Sequence, residues 1–200
     1  MDRKLNHRRL AGRGDQPKGD QESSRRQEAA LLVNTGANLL QNGDPARALP
    51  LLERAWELAP TEVAAAINLG GAYILLNRHA EAVPVLEAAA ALAPDNAMVW
   101  LNLGAAYLGN PLLATPAQQD QAIRAFERVL AIDPTMHYVN YNLGLIFRDR
   151  QDYVRACEQF RRALEVDPGD RDARKLWEEM RRETAAPSST DDVSGERGGK

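Results

Sequence analysis

Between residues 28 and 184 apolar side chains recur three, four and seven positions apart, the spacing that lays a stripe along one side of an α-helix. The stripes come in pairs, and each pair closes on a proline after a similar apolar stretch: WELAP, AALAP, LAIDP and LEVDP end at Pro60, Pro94, Pro134 and Pro168. Proline cannot continue a helix, so each one marks the end of a helical pair. The prolines are spaced by 34, 40 and 34 residues. A glycine precedes Pro60, Pro94 and Pro168 by 24 positions (Gly36, Gly70, Gly144), and Gly104 precedes Pro134 by 30. Self-similarity at this period predicts an all-α stack of helix pairs, because one amphipathic hairpin cannot bury its own apolar face.

The residues at the repeating places carry more than periodicity. Trp100, Leu103, Gly104 and Tyr107 are followed by Ala122, Phe126 and Pro134. Leu69, Gly70, Tyr73, Ala82, Leu86 and Pro94 stand in register with Leu143, Gly144, Phe147, Ala156, Phe160 and Pro168. Gly36, Leu39, Ala48, Leu52, Ala55 and Pro60 form the most divergent copy, with Thr35 in the leucine place. This pattern resembles the tetratricopeptide repeat, W-x2-L-G-x2-Y, A-x3-F, P over 34 residues. The resemblance implies a right-handed α-α superhelix with repeats at 29–62, 63–96, 97–136 and 137–170. A capping helix is expected over 171–184, where Leu176, Trp177 and Met180 can cover the last repeat, and five basic and five acidic residues of GDRDARKLWEEMRRETA coat the rest.

Composition changes the picture at the ends. Residues 1–27 hold eight basic and four acidic side chains with almost no apolar ones, so a disordered basic tail is expected there, and a second tail over 185–200. Residues 28–168 carry ten basic against sixteen acidic side chains; the formal charge of −3 therefore conceals a basic arm on an acidic body. Ala (32) and Leu (25) dominate the apolar residues while Val and Ile total 15, a helix-forming mixture. The third repeat carries six extra residues in GNPLLATPAQQD, with Leu112 and Leu113 expected exposed. Pro50 and Pro84 fall early in second helices and are harmless there if those helices start only one or two residues before them.

Candidate chemistry is sparse. His7, His79 and His137 lack Cys, Asp or Glu partners at metal-ligand spacing, and Cys157 reads as a packed thiol. No phosphate-binding loop, dinucleotide fingerprint or nucleophile elbow occurs. The chain is thus expected to be no enzyme and to need no cofactor or metal. One cysteine forms no internal disulfide, no apolar run spans a bilayer, and the N-terminus lacks an apolar leader, so a cytoplasmic protein with no membrane span is expected. The basic tail lacks interleaved aromatics, which argues against specific nucleic-acid binding.

Function is expected from the first helices, which the resemblance places along a concave surface. The sixth place of every repeat is asparagine: Asn34, Asn68, Asn102 and Asn142. An amide offers a donor and an acceptor together, so such a column can pair with the backbone of an extended peptide. It is similar to the asparagine ladder of the O-linked N-acetylglucosamine transferases, and equally matches an asparagine that many repeats of this kind carry. Ile67, Ile74, Leu101, Leu108, Tyr138 and Tyr141 are expected to flank it as apolar anchors. Val33, Ala37 and Met98 stand where the carboxylate-clamp members of the family need Lys, Asn and Lys, a departure that argues against a chaperone-tail clamp. The expected function is a non-catalytic scaffold or adaptor that binds a peptide segment of a partner protein. The alternatives are a homo-oligomer joined through the groove or the 109–117 loop, and an accessory subunit regulating an enzyme.

Overall fold

The computed structural model of the protein describes residues 18–111, 113–136 and 138–185. His7, His137, Leu112, most of the expected N-terminal tail and residues 186–200 lie outside these. All regular structure among the described residues is helical: α1 Lys18–Gln41, α2 Pro45–Leu58, α3 Val63–Leu75, α4 His79–Leu92, α5 Ala97–Leu108, α6 Pro116–Ile132, α7 Val139–Asp149, α8 Tyr153–Val166 and α9 Arg171–Ala185. Each odd helix packs on the even helix that follows it, each pair stacks on the next, and α9 lies against α8.

Glycine sets how closely the helices of a pair approach. A Cβ on Gly36 or Gly70 would stand 2.6 Å from the side chain of Leu52 or Leu86, and one on Gly104 or Gly144 would stand 2.6 Å from the ring of Phe126 or Phe160. All four large partners are at most 1% exposed. The small residue of each first helix thus receives the large residue of its second helix, which is why both recur in the sequence.

The helix ends follow local chemistry. Asp44, Asn96, Thr115 and Asp152 accept hydrogen bonds from backbone N–H groups of the helices that they precede. In three of the intra-pair turns the residue before the N-cap is left-handed: Gly43, Asn77 and Gln151, with φ of 74°, 59° and 59°. Pro50 and Pro84 sit in the second turns of α2 and α4, since these helices begin at Pro45 and His79. Each therefore removes an intrahelical hydrogen bond instead of a spare donor, and both rings are exposed.

Two boundaries differ from expectation. Helix α1 begins at Lys18, inside the stretch expected as a tail. Nothing interrupts the helix-forming run from Gln21 onward; Asp20 stands in the first turn, and Glu22 pairs with Arg26 at 2.7 Å. In the third repeat part of the insertion is helix, for α6 starts a turn early at Pro116. Thr115 and Gln118 form a reciprocal capping box there. Arg150, from the last intra-pair turn, fastens that added turn: its Nε donates to Gln119 Oε1 at 2.8 Å, one terminal nitrogen to the Pro116 carbonyl at 2.8 Å, and the other reaches Asp120 at 2.7 Å.

The core is not central but runs along the stack as two main clusters. One holds Leu52, Leu69, Leu86 and Leu103; the other holds Phe126, Leu143, Phe160 and Met180. Trp100 and Tyr107 pack against both. On α9, Ala173 and Met180 are buried while Leu176 and Trp177 are half-buried, and the Arg181 guanidinium lies over the Trp177 ring.

Candidate functional site

Helix α1 packs beside α3, and α3 beside α5, so these three first helices form one wall; α7 instead packs on α6 and α8. Along it Leu31, Leu75 and Met98 are 69%, 58% and 43% exposed. Ile67, Ile74, Leu101, Leu108 and Tyr141 are half-buried, each tied to a core cluster by part of its surface. The Tyr141 ring meets Phe160 edge-on at 5.8 Å. The charged pair in the last first-helix, Arg148 and Asp149, is joined at 2.9 Å.

The four asparagines do not share one environment. Asn34 is exposed, whereas Asn68, Asn102 and Asn142 are half-buried. Asn68 Nδ2 donates to the Ala64 carbonyl of its own helix at 2.8 Å. Asn102 Nδ2 crosses to the preceding repeat and donates to the Ile67 carbonyl at 3.3 Å, so it stitches α5 to α3. An amide nitrogen carries two hydrogens, so both side chains retain one N–H and the oxygen for another partner.

Tyr138 departs from the expected register. Gly144 meets Phe160 as Gly104 meets Phe126, so the repeat itself is in phase, yet α7 starts only at Val139. Tyr138 is its N-cap, left-handed at φ 64° and 60% exposed. It stands before the helix face that Tyr141 shares. A left-handed residue at this point breaks the i to i−4 ladder, and the first turn found in α3 and α5 does not form.

Sequence reasoning passed over a second recurrent pair. Tyr73 donates to Glu53 at 2.9 Å and Tyr107 to Glu87 at 2.6 Å, each bridging a first helix to the second helix of the preceding repeat. Both tyrosines and both glutamates are 34 residues apart, which is the signal that was available. Phe147 holds that place in the fourth repeat and lacks the hydroxyl; Arg155 lies over its ring at 4.5 Å. Burial first, and the facing carboxylate second, push both phenols up to about 12. The fold favours the neutral phenol, so this stabilisation is complete below the ordinary tyrosine value of about 10 and is lost as the pH rises to about 12. The melting temperature of Tyr73→Phe/Tyr107→Phe should therefore fall less steeply between pH 10 and 12 than that of the parent. Parallel curves would dissociate these phenols from alkaline stability.

Burial also pushes the Cys157 thiol up, the opposite of what a nucleophilic thiolate requires. No group of three or more His, Cys, Asp or Glu among the described residues could hold a metal ion, and no helix among them is long and apolar enough to cross a membrane.

Comparison with known proteins gives a consistent result. Sequence models of the tetratricopeptide repeat match residues 39–107 and 118–182. Among solved structures, MamA from residue 41 to its end, from Desulfovibrio magneticus RS-1, is 25% identical and superposes with a TM-score of 0.62 over 77% of this chain and 89% of that one. A MamA RS-1 double mutant is 26% identical, with a TM-score of 0.62 over 72% and 78%. A thermophilic tetratricopeptide protein of Thermus thermophilus shares the fold at 18% identity, with a TM-score of 0.63 over 78% and 83%. No curated protein sequence matches the chain.

Proposed function

The chain belongs to the tetratricopeptide repeat family, a family of generally non-catalytic scaffolds, and from that premise we propose that it is an adaptor whose first helices form a groove for an extended peptide segment of a partner protein. The observation that carries this reading is the wall of α1, α3 and α5, where exposed Leu31, Leu75 and Met98 accompany amides that still have hydrogen-bonding capacity. Exposed apolar side chains on neighbouring helices favour an occupant. Asn34, Asn68, Asn102 and Asn142 would hold the peptide backbone, and Ile67, Ile74, Leu101, Leu108 and Tyr141 would seat its side chains. Tyr138, at the mouth of α7, would meet the peptide's end. Arg148 and Asp149 neutralise each other, so the preferred segment is apolar rather than strongly acidic.

A peptide selected from a random library on the full chain provides the test. Its affinity, measured by calorimetry, should fall about tenfold in Asn68→Ala/Asn102→Ala, the expected loss for one or two hydrogen bonds. It should fall further in Leu75→Asp/Met98→Asp. Unchanged affinity in the first variant removes the asparagines from the account, and unchanged affinity in both removes the groove.

A further inference from the structure

The fourth repeat lacks a residue that the third repeat uses to close its junction. Counting back four places from the glycine that receives the phenylalanine, Trp100 precedes Gly104 and Asn140 precedes Gly144. In the third repeat the Trp100 indole donates through Nε1 to the Pro94 carbonyl at 2.8 Å, and Arg128 donates to the same carbonyl at 3.2 Å and to Asp95 at 3.0 Å. The register equivalents of Pro94, Asp95 and Arg128 are Pro134, Thr135 and Arg162. Where the indole would stand, the fourth repeat has a cleft of about 550 Å³, lined by Leu130, Pro134, Thr135, Asn140, Arg162, Glu165 and Val166. Arg162 does not close it, being held by Glu158 at 2.9 Å. Val166 at its edge is 36% exposed, so the cleft opens to solvent.

Asn140 makes the cleft more than a packing gap. Its side chain is 5% exposed and its Oδ1 has no hydrogen-bond partner. Buried amides in folded proteins are satisfied with few exceptions, and an orphan calls for a donor that arrives from elsewhere. In the second repeat the same place holds Ala66, fully buried and with no polar side-chain atom to satisfy. The fourth repeat therefore combines a lost aromatic ring with an unsatisfied acceptor.

We propose that this cleft, between α6, α7 and α8, is a binding site for the tryptophan side chain of a partner polypeptide, which enters where Trp100 lies one repeat earlier. The ring would rest on Leu130, Pro134 and Val166. Its N–H would donate to the Pro134 carbonyl, by analogy with Pro94, and to Asn140 Oδ1 once a turn of that amide brings the enclosed oxygen to the cleft. The chain's own tryptophans are committed elsewhere: Trp56 and Trp100 pack on the first core cluster and Trp177 on the second. Neither this chain nor a second folded copy can supply the indole without unpacking itself. The cleft adjoins the end of the first-helix groove, because Asn140 and Val166 also line a small crevice with Tyr138 and Tyr141, but its ring-binding side faces Leu130 and Pro134.

The test titrates N-acetyl-L-tryptophanamide into the isotope-labelled full chain and follows the Asn140 side-chain amide, the Thr135 N–H and the Val166 methyls by NMR. Saturable shifts confined to these groups are expected. N-acetyl-phenylalaninamide, which has no ring N–H, should bind about fivefold more weakly. Asn140→Trp refills the cleft from within and should weaken the probe at least tenfold. Asn140→Leu keeps the bulk, removes the amide and should weaken it about fivefold. Non-saturating shifts, or an affinity unchanged in either variant, overturn the proposal. Should Asn140→Trp not fold, Asn140→Leu decides alone. Free L-tryptophan binding about tenfold tighter than the blocked amide would overturn the partner chain as the source and make the cleft an amino-acid site.

Discussion

Phe126→Ala is expected to lower the free energy of unfolding by about 3–5 kcal/mol, the range for deleting a fully buried phenylalanine ring. At this chain length that corresponds to a fall in melting temperature of roughly 10 °C. Phe126 is 1% exposed and rests on Gly104, at the point where the two main core clusters meet through Trp100 and Tyr107. In a stack stabilised by nearest-neighbour interfaces, a cavity at this point weakens the coupling between its halves as well as the repeat itself. Urea unfolding followed by circular dichroism should therefore separate into two transitions in Phe126→Ala. Phe160→Ala, deeper in the second cluster, should lower only the C-terminal half. A single transition in Phe126→Ala, shifted by less than about 1 kcal/mol, would show that the third repeat does not join the halves.

The second large effect concerns glycines, and its sign depends on place. Glycine inside a helix ordinarily costs about 0.5–1 kcal/mol relative to alanine, so Gly→Ala should stabilise. Gly71 should do so, because a Cβ there meets nothing within 4 Å. Its neighbour Gly70 should do the reverse, since a Cβ would stand 2.6 Å from Leu86, a side chain with no exposed surface into which to move. Gly104→Ala and Gly144→Ala should be the most damaging, because an aromatic ring has fewer ways to yield than a leucine. A net loss of about 1–3 kcal/mol is expected from overpacking. Thermal unfolding of Gly70→Ala and Gly71→Ala side by side checks the sign, and stabilisation in both would disprove steric control by the second helix. Gly104→Ala combined with Phe126→Leu should cost less than the sum of the two changes, as the smaller side chain relieves the clash.

Most of the fold was legible because its determinants are local or strictly periodic. The stripe spacing, the closing prolines and the glycine places fixed the pairing of helices, and the asparagine column could be counted from the glycines. What escaped depends on interactions whose two ends are not linked by a fixed period. The start of α1 rests on an uninterrupted run of helix formers that composition alone grouped with the tail. The positions of Pro50 and Pro84 follow from where the helices start, after the capping side chain of Asp44 in α2 and after Arg78, which makes no side-chain cap, in α4. The contacts of Arg150 could not be read at all, for they lie 30 to 34 residues away in an insertion without counterpart in the other repeats.

The sequence by itself therefore determined the family, the helix pairing and the place of each amide, because periodic apolar side chains and helix breakers act within a few residues of one another. Tertiary structure alone decided which amides are spent and which remain. Asn102 reaches across to Ile67, Asn68 turns back on its own helix, and Asn140 is buried without a partner for its oxygen. The physical reason is that a side-chain amide can bond its own helix or the neighbouring repeat. Its hydrogen bonds are settled by the distance to the neighbouring repeat, and that distance is set by the size of the residues packed between them.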